Sequence, residues 1–489
     1  MASHGRAKSL PASWDADRGE NDRITGCPKG EGVLARGIRS YHRPTRIEEA
    51  QDLAAQGAVL LGGGTRVLAR DAVVPHVVDT VSLGLVGLSV DDEDLVIGAS
   101  TPVLDVSDSA AAHALSAGLL PLACRAALPS RLLRGMATIG GEAIAADPDS
   151  ELAAALMALN AVFLVAHPDE PRESPALRFL AGPEKDLAGG GVLRAVMIPG
   201  APHGAALERV AALPSLPPVV AVAATATLSG DKLARVRLAV TGLTGPPARV
   251  IDAESKLERT EGEPDVLEHA ADLVASHALF RDDVAASSAT RRRMARALTL
   301  RALSAAVSRA RRRTPIAPLR TTRTPTLRLA APMPNFTSGR LELTVNGRPL
   351  RAEAEARTTL AELLRAAGLW SVKAGCGGGR CGACAVLLDG RLVASCLTLA
   401  VRAQGRSVVT VEGLGTAERP HPLQSAFAEA AASPCGFCAP GHVLAARVLV
   451  DTVAAPTEAD VRDALAGLCR CTGYGGSLAA VLRHARGQP

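Results

Sequence analysis

The sequence predicts a multidomain protein of the α+β class. At 489 residues the chain is too long for one hydrophobic core, and about three or four domains are expected. Up to about residue 200, short apolar strands alternate with helical runs, which favours mixed α and β structure. Eight of the ten cysteines fall within the last 114 residues, so this end of the chain is predicted to bind metal.

A helix and a strand open the ordered part of the chain. The helix is expected at 47–56, and the strand at 58–61 runs directly into Gly62, Gly63 and Gly64. Consecutive backbone N–H groups in such a turn can form an anion-binding nest, but the pattern is equally consistent with a tight turn alone. Neither a GxGxxG nor a GK[ST] phosphate-binding motif is present.

The C-terminal 150 residues contain local signals for hairpins and helices. Alternating residues around Asn346-Gly347 predict a β-hairpin. Capping-box spacings that begin at Thr359 and Thr457 predict two helix starts, and four short helices are expected from His421 onward. The predicted boundaries are a disordered extension over 1–38, a first unit over 39–202, a second unit over 203–310, a linker over 311–339, a hairpin-rich unit over 340–415 and a helical unit over 416–489.

Charge and hydropathy exclude some classes of function. The formal net charge of +5 is spread along the chain and aromatic residues make up only 2%, which argues against nucleic-acid binding. No apolar run reaches the roughly 20 residues that span a bilayer, so no transmembrane segment is expected. The N-terminal residues resemble no export signal, and the cysteines are therefore interpreted as cytoplasmic thiols rather than disulfides.

The first group of cysteines has the spacing of a plant-type [2Fe–2S] site. Cys376, Cys381 and Cys384 form a C-x4-C-x2-C run, and Cys396 follows after a predicted hairpin with Asp-Gly at its tip. That hairpin brings Cys396 beside Cys384. Zinc sites usually show two CxxC knuckles about 12–20 residues apart, so this glycine-rich x4 loop favours iron–sulfur over zinc.

The second group of cysteines consists of two close pairs about 30 residues apart. Cys435 and Cys438 precede an apolar helix, and Cys469 and Cys471 follow a predicted one. Four thiolates at two helix ends suit a two-iron centre. Taken alone, CxxC…CxC also suits zinc, and that alternative stays open for this group.

The cysteine phrases resemble those of a known family. The segments Gly375–Cys384, Cys435–Gly441 and Leu468–Tyr474 resemble the iron–sulfur subunit of the molybdenum hydroxylases, which include xanthine dehydrogenase and aerobic carbon monoxide dehydrogenase. The resemblance implies two [2Fe–2S] clusters, a β-grasp plant-type ferredoxin domain and a C-terminal four-helix [2Fe–2S] domain. It also implies a preceding FAD-binding unit of two subdomains.

The same resemblance implies that the glycine turn belongs to a flavin-binding loop. Residues 60–67 resemble the family's first flavin loop, residues 134–141 its second, and Asp147–Leu152 the acidic segment that follows. The FAD-binding residues that the resemblance implies are Leu60, Leu61, Gly62, Gly63, Gly64, Thr65, Arg66, Val67, Thr138, Ile139, Gly140, Gly141 and Glu151.

Several positions depart from the family pattern. Arg66 stands where an acid is usual, Glu142 where Asn is usual, and Glu151 where Asp is usual. The family's lysine in the second FAD subdomain has no clear counterpart, and Arg209 is the nearest basic residue. Pro434 replaces a Gln that usually approaches the molybdopterin.

The resemblance implies an electron-transfer component of a molybdopterin-dependent hydroxylase. A separate large subunit would hold the molybdopterin, and electrons would reach FAD through the two clusters and then NAD, a quinone, dioxygen or another acceptor. The chain itself would supply no acid–base catalyst, and assembly as a dimer of heterodimers is a family expectation. The alternatives are a free-standing iron–sulfur flavoprotein reductase and a zinc-stabilised interaction module on a degenerate FAD-like scaffold.

Overall fold

The computed structural model describes residues 37–69, 73–145, 147–317, 333–465 and 467–487. Most of the predicted N-terminal extension and much of the predicted linker therefore lie outside the described residues. The described parts contain both helices and strands in every region but the last, which confirms the mixed α+β class.

The first unit alternates short strands with short helices. Its strands are β1 (Ser40–Arg43), β2 (Val59–Leu61), β3 (His76–Asp79), β4 (Leu88–Asp91), β5 (Asp94–Gly98), β6 (Val162–Ala166), β7 (Arg172–Pro175) and β8 (Val192–Ile198). Its helices are α1 (Ile47–Ala55), α2 (Val103–Ser107), α3 (Ala110–Leu115), α4 (Leu119–Ala127), α5 (Arg131–Arg134), α6 (Ile139–Ala145), α7 (Glu151–Ala158), α8 (Ala176–Phe179) and α9 (Pro183–Leu187). The predicted helix at 47–56 and strand at 58–61 are confirmed as α1 and β2.

Two sheets organise this unit. Strands β1, β3 and β2 run parallel, so the chain leaves β2 at the same edge at which β3 ends. The second sheet has the order β4-β5-β8-β6-β7 and is antiparallel throughout. Helices α4 and α7 pack against each other, and both contribute to the largest apolar core.

The second unit is an antiparallel sheet covered by helices. Its strands are β9 (Gly204–Val210), β10 (Val220–Ser229), β11 (Lys232–Val240) and β12 (Ala248–Arg249), and its helices are α10 (Ile251–Leu257), α11 (Pro264–His277) and α12 (Ser288–Arg312). The long helix α12 lies across β9 and β10. Its buried positions recur every three or four residues, as expected of a helix with one apolar face on a sheet.

The third unit contains the first group of cysteines. Its strands are β13 (Met333–Phe336), β14 (Ser338–Val345), β15 (Arg348–Glu355), β16 (Ala385–Leu388), β17 (Arg391–Ala394) and β18 (Ser407–Val409), and its helix is α13 (Leu360–Ala366). The hairpin predicted at Asn346-Gly347 is confirmed, and so is the capping box that begins at Thr359. The sheet order is β15-β14-β18-β16-β17, with β14 and β18 parallel.

Strand β13 lies within the range predicted to be linker. It pairs antiparallel with β1 of the first unit, so Tyr41 lies opposite Phe336. The Pro-, Thr- and Arg-rich composition around it contains no strand period, and the pairing depends on a strand about 300 residues earlier. The prediction also placed Ile38 in the N-terminal extension. In the structure, Ile38 is buried in the core at the start of the first unit.

The last unit contains four helices among its described residues. These are α14 (Pro422–Glu429), α15 (Ala439–Thr452), α16 (Glu458–Ala464) and α17 (Gly475–Ala485). The capping box predicted at Thr457 is confirmed. None of the described helices combines the length and the apolar character that a bilayer span requires.

One apolar core crosses from the first unit into the third. It joins Leu61 at the end of β2, Leu68 and Val77 to Leu397 and Val401, which follow Cys396. Burial of apolar surface is the main source of stability for such contacts, at about 25 cal/mol per Å². The third unit is therefore packed on the strand that leads into the glycine turn.

Candidate iron–sulfur and flavin sites

The first quartet consists of Cys376, Cys381 and Cys384, which lie between α13 and β16, and Cys396, which follows β17. The thiol of Cys376 accepts hydrogen bonds from the backbone N–H groups of Arg380 at 3.2 Å and Cys381 at 3.3 Å. Cys381 Sγ in turn accepts from the N–H of Cys376 at 3.4 Å. Such N–H donors stabilise negative charge on sulfur.

Glycines make this loop possible. Gly377, Gly379 and Gly382 have φ values of 66°, 73° and 64°, in the left-handed region that favours glycine. At Gly375 a Cβ atom would lie 2.7 Å from Cys381 Sγ, so a side chain there would displace the ligand. The glycine density noted in the sequence therefore has a direct steric cause.

The predicted hairpin brings together the other two thiols of the first quartet, those of Cys384 and Cys396. Ala385 pairs with Ala394, and Ser395 then donates its N–H and its hydroxyl to the carbonyl of Cys384, at 3.3 and 2.6 Å. This confirms the expected register, in which Cys396 lies one residue beyond the partner of Cys384. Cys384 is buried and Cys396 is half-buried.

Hydrogen bonds group the thiols of the first quartet into two pairs. A hydrogen bond from Cys381, supported by backbone N–H groups, lowers the pKa of Cys376 to about 5. A hydrogen bond from Cys396 likewise lowers the pKa of Cys384 to about 7, and the pKa of each donor thiol is raised. The pairs are thus Cys376 with Cys381 and Cys384 with Cys396.

The second quartet consists of two pairs. Cys435 and Cys438 directly precede α15, and Cys469 and Cys471 lie between α16 and α17. The sulfurs of Cys435 and Cys471 are 3.6 Å apart, and those of Cys469 and Cys471 are 3.9 Å apart. Burial and contact with Cys469 raise the pKa of Cys438 to about 11, whereas the Thr472 hydroxyl lowers that of Cys469 to about 6.

Both quartets have the donor set that a two-iron core needs. In a [2Fe–2S] centre each iron takes two thiolates. The thiols of the first quartet come together in two pairs, and in the second quartet Cys471 lies near both Cys435 and Cys469. Zinc would need four ligands around one ion. Within the described ranges, no three His, Cys, Asp or Glu side chains are grouped closely enough to hold a single metal ion. The eight thiols therefore supply the donors that two [2Fe–2S] clusters need.

The two quartets lie next to each other. The N–H of Leu468, one residue before Cys469, donates to the carbonyl of Cys381 at 2.9 Å. At Gly441 a Cβ atom would lie 2.4 Å from the carbonyl oxygen of Gly382, so α15 approaches the first loop closely. Buried His442 donates its Nε2–H to the carbonyl oxygen of Gly467 at 3.0 Å and fixes the turn that precedes Leu468.

The predicted flavin residues form two adjoining segments. Leu60 and Leu61 end β2, and the turn that follows completes the first flavin loop (60–67). Thr138 precedes α6, and Ile139–Gly141 form its first turn, which completes the second flavin loop (134–141). Glu151 begins α7 and is buried.

The two flavin loops approach each other most closely at two glycines of the first loop. At Gly63 a Cβ atom would lie 1.9 Å from the carbonyl oxygen of Met136, and at Gly62 it would lie 2.6 Å from Thr138 Oγ1. Only a residue without a side chain allows this approach. The adjoining glycine turns and the Thr138 hydroxyl fit the pyrophosphate of FAD.

The departures from the family pattern are paired with one another. Arg66 forms a bidentate ion pair with buried Glu142, with its closest contact at 2.6 Å, and reaches Asp147 at 3.0 Å. Arg209 contacts Glu151 at 2.8 Å. Glu142 and Glu151 are therefore each paired with an arginine.

Sequence reasoning missed the residues that connect the quartets to the flavin loops. Arg402 of the third unit contacts Asp79 at the end of β3 and the carbonyl of Gly62. A cavity of about 90 Å³ lies beside them, between the flavin loops and the third unit. These partners are more than 300 residues apart, and no local pattern indicates them.

The cysteine regions and the flavin regions each match known families. Residues 36–201 match the FAD binding domain in molybdopterin dehydrogenase, and residues 218–306 match the CO dehydrogenase flavoprotein C-terminal domain. Residues 343–407 match the 2Fe-2S iron-sulfur cluster binding domain, and residues 410–482 match the [2Fe-2S] binding domain.

A relative in Escherichia coli O157:H7 decides the assignment. The chain is 45% identical over 140 residues to the xanthine dehydrogenase iron-sulfur-binding subunit, a match that covers 27% of this chain and 86% of that subunit. This chain belongs to the molybdenum hydroxylase family. It is also 46% identical over 144 residues to the nicotine 6-hydroxylase small subunit of Paenarthrobacter nicotinovorans, covering 29% of this chain and 87% of the relative.

Solved structures agree with this family. Carbon monoxide dehydrogenase from Hydrogenophaga pseudoflava matches with a TM-score of 0.53 and 26% identity, over 56% of this chain and 98% of the matched chain. The reconstituted enzyme from Oligotropha carboxidovorans matches with a TM-score of 0.52 and 27% identity, over 56% and 99%. The family member described here is thus an oxidoreductase with one FAD-binding unit and two [2Fe–2S] domains.

Proposed function

We propose that this chain is the electron-transfer component of a molybdopterin-dependent hydroxylase. It would relay electrons from a partner molybdenum subunit through two [2Fe–2S] clusters to FAD and an external acceptor. When bound, the clusters carry single electrons and the flavin stores two, which is chemistry of the cofactors rather than of the side chains. The observation that carries the proposal is the chain of contacts from the second quartet to the first and from the first to the flavin loops.

The first link in that chain is the contact between the quartets. The hydrogen bond from Leu468 to Cys381 joins residues that either are cluster ligands or adjoin one. The second link is the segment after Cys396, which contacts both flavin loops. A relay needs its centres held close together and in a fixed order, and these contacts support that order.

Ligand residues and domains follow from the same proposal. The eight cysteines of the two quartets would hold the iron, and the two flavin loops with Glu151 would hold FAD. We assign 39–202 and 203–310 to the FAD-binding unit, 340–415 to a β-grasp ferredoxin domain and 416–489 to a four-helix cluster-binding domain. The sheet order around β14 and β18 and the four C-terminal helices support the last two assignments.

The partner would be a separate large subunit that holds the molybdopterin. The matched E. coli protein is named as one subunit of an enzyme. The matched carbon monoxide dehydrogenase is described as a form that lacks the Mo-pyranopterin moiety of the molybdenum cofactor. Assembly as a dimer of heterodimers is part of the proposal, and so is a cytoplasmic location, because eight cysteine ligands require reduced thiols. NAD, a quinone, dioxygen or another carrier would accept the electrons from FAD.

Native purification tests this function. The chain should be isolated anaerobically from its own host, and the preparation analysed for iron, flavin, molybdenum and partner subunits. We expect iron and FAD in the chain and a large molybdenum-containing partner. Iron and FAD without such a partner would support a free-standing reductase instead, and a colourless protein loaded with zinc would support the interaction module.

A further inference from the structure

The segment that carries Cys396 contacts both flavin loops. The N–H of Ala394, two residues before Cys396, donates to Met136 Sδ of the second flavin loop at 3.0 Å. At Gly64 of the first loop, a Cβ atom would lie 3.3 Å from the carbonyl oxygen of Leu397. Six residues after Cys396, Arg402 donates to the carbonyl oxygen of Gly62 at 2.6 Å. One short segment thus contains a cysteine of the first quartet and contacts both flavin loops.

Arg402 is held firmly in this position. Its guanidinium contacts both carboxylate oxygens of Asp79, with Nε–Oδ2 at 2.7 Å and Nη2–Oδ1 at 2.8 Å. A bidentate pair of this kind fixes direction as well as distance. Asp79 is fully buried and also accepts hydrogen bonds from the Tyr41 hydroxyl and the Val81 N–H.

The surroundings of this ion pair reinforce it. Arg43 donates to the Tyr41 hydroxyl and to the carbonyl of Val401, the neighbour of Arg402, at 3.2 Å. Burial alone would raise the pKa of Asp79, but the charges of Arg402 and Arg43 outweigh it and keep that pKa below its ordinary value. The carboxylate is therefore ionised and available to orient Arg402 at neutral pH.

The contact with Gly62 has a consequence for the next residue. The carbonyl of Gly62 and the N–H of Gly63 belong to one planar trans peptide, in which they point in opposite directions. A donor that fixes the carbonyl therefore also fixes the direction of the Gly63 N–H. That N–H must point away from the Arg402 guanidinium and is one of the loop donors that can form an anion nest.

We propose that Arg402 is a positioning residue for FAD, acting from the cluster-bearing domain. It holds the Gly62 peptide so that the first flavin loop presents its N–H groups to the pyrophosphate. FAD affinity thereby depends on the docked third unit, and this unit places Cys396 beside the flavin loops. The inference rests on the proposed function only in that FAD must bind to these loops.

Arg402→Gln in the full-length chain tests the proposal. Glutamine can contact either Asp79 or the Gly62 carbonyl but offers no bidentate charge. We expect the dissociation constant for FAD, measured by flavin fluorescence on reconstitution of the deflavinated protein, to rise by about tenfold. Iron content and the reduced-cluster signals in electron paramagnetic resonance (EPR) should equal those of the wild type. The pyrophosphate resonances of bound FAD in phosphorus NMR should also shift.

Arg406→Gln is the matched control. Arg406 lines the same cavity and pairs with Asp389 at 2.7 Å, but both residues belong to the third unit. This variant should keep the wild-type FAD affinity and phosphorus spectrum. Arg402→Lys provides a second test in case the glutamine variant does not fold. Lysine retains the positive charge beside Asp79, so this variant is expected to fold. Its FAD affinity should lie between that of Arg402→Gln and that of the wild type.

The outcomes separate the inference from the function. Wild-type affinity for FAD in both Arg402 variants would overturn the inference, and so would a loss of FAD that always accompanies an equal loss of iron. A wild-type chain that binds iron but no FAD at all would instead contradict the proposed function. Weaker FAD binding with full iron content, together with a changed phosphorus spectrum, supports the positioning role.

Discussion

The two quartets use the same ligand but lie in different surroundings. In the first, Cys381 and Cys384 are 8% and 2% exposed, and the segment that follows packs into a core shared with the first unit. In the second, Cys435 and Cys471 are exposed, and so are the adjoining large apolar side chains Phe437 and Leu468. Cys376 of the first quartet and Cys438 of the second differ from this trend, since the former is exposed and the latter is buried.

Under the proposed function, this difference suits the two quartets to separate tasks. Burial and a fixed position beside the flavin loops suit a centre that exchanges electrons only within the chain. Exposure of thiols and apolar side chains suits a centre that a partner must approach. We therefore expect the first quartet to serve an internal position and the second an external one.

Removal of one ligand from each quartet should have the largest effect. Cys384→Ala should abolish the first cluster and leave about two of about four iron atoms per chain, while Cys471→Ala should abolish the second. Only the first variant should also weaken the packing of the flavin loops, because only its quartet shares their core. Iron analysis, EPR and FAD content measure these effects.

Cys124→Ala is the control for that pair of variants. Cys124 is buried in α4, outside both quartets, so its loss should leave iron and FAD contents unchanged. Equal losses of FAD in Cys384→Ala and Cys471→Ala would mean that the two quartets do not differ in their relation to the flavin unit.

Asp463 of α16 joins the helical unit that contains the second quartet to the first unit. This carboxylate contacts buried Arg134 of the first unit at 2.5 Å and Arg131 at 3.3 Å. Asp463→Ala leaves Arg134 buried without its partner, and we expect a loss of about 3 kcal/mol in the free energy of unfolding of the helical unit. Urea unfolding followed by the absorbance of the second cluster measures this, with Glu458→Gln as control.

The control variant removes an exposed ion pair on the same helix. Glu458 contacts Arg462 one turn later, and both side chains are more than half exposed. Its loss should cost no more than about 0.5 kcal/mol. A similar cost for both variants would show that the helical unit does not rely on Asp463.

The same carboxylate predicts a dependence on pH. Burial would raise the pKa of Asp463, but the charges of Arg134, Arg125 and Arg131 hold it below its ordinary value. Its stabilisation is therefore complete above the unfolded pKa of about 3.9 and is lost as pH falls through the lower folded pKa. Asp463→Asn should show no such acid step in unfolding, whereas an unchanged step would assign it to another carboxyl.

The Arg66–Glu142 pair tests the flavin side of the comparison. Arg66→Gln leaves the buried Glu142 carboxylate uncompensated beside the flavin loops, and the dissociation constant for FAD should rise by roughly tenfold. Glu142→Gln added to Arg66→Gln should recover most of this affinity, because it removes the bare charge. A double variant as weak as the single one would contradict this account of the pair. Titration of deflavinated protein with FAD measures all three proteins.

The smallest expected effect concerns access from solvent. Because the second quartet is more exposed, an iron chelator or a mild oxidant should remove its EPR signal several times faster than that of the first. Loss of both signals at one rate would mean that burial does not distinguish the two sites.

Local patterns predicted a good part of this molecule. The helix at α1, the hairpin at Asn346-Gly347 and the capping boxes at Thr359 and Thr457 each depend on neighbouring residues, and the sequence contains their whole cause. The register of Cys384 against Ser395 was accessible for the same reason, because an Asp-Gly turn sets the pairing of its hairpin.

Contacts between distant segments were not accessible. Nothing near Arg402 indicates Gly62 or Asp79 as its partners, and nothing near Arg66 indicates Glu142. Strand β13 was missed because its pairing with β1 comes from tertiary structure rather than from its own composition. The departures from the family pattern could be seen in the sequence, but only the fold shows that they compensate each other in pairs.

EPR of the reduced chain tests the central claim most directly. The anaerobically purified protein should be reduced with dithionite and its spins counted against its iron and flavin contents. Two distinct [2Fe–2S] signals of equal intensity, with about four iron atoms and about one FAD per chain, are predicted. A single signal, or fully folded protein whose cysteines hold zinc in place of iron, would contradict the account.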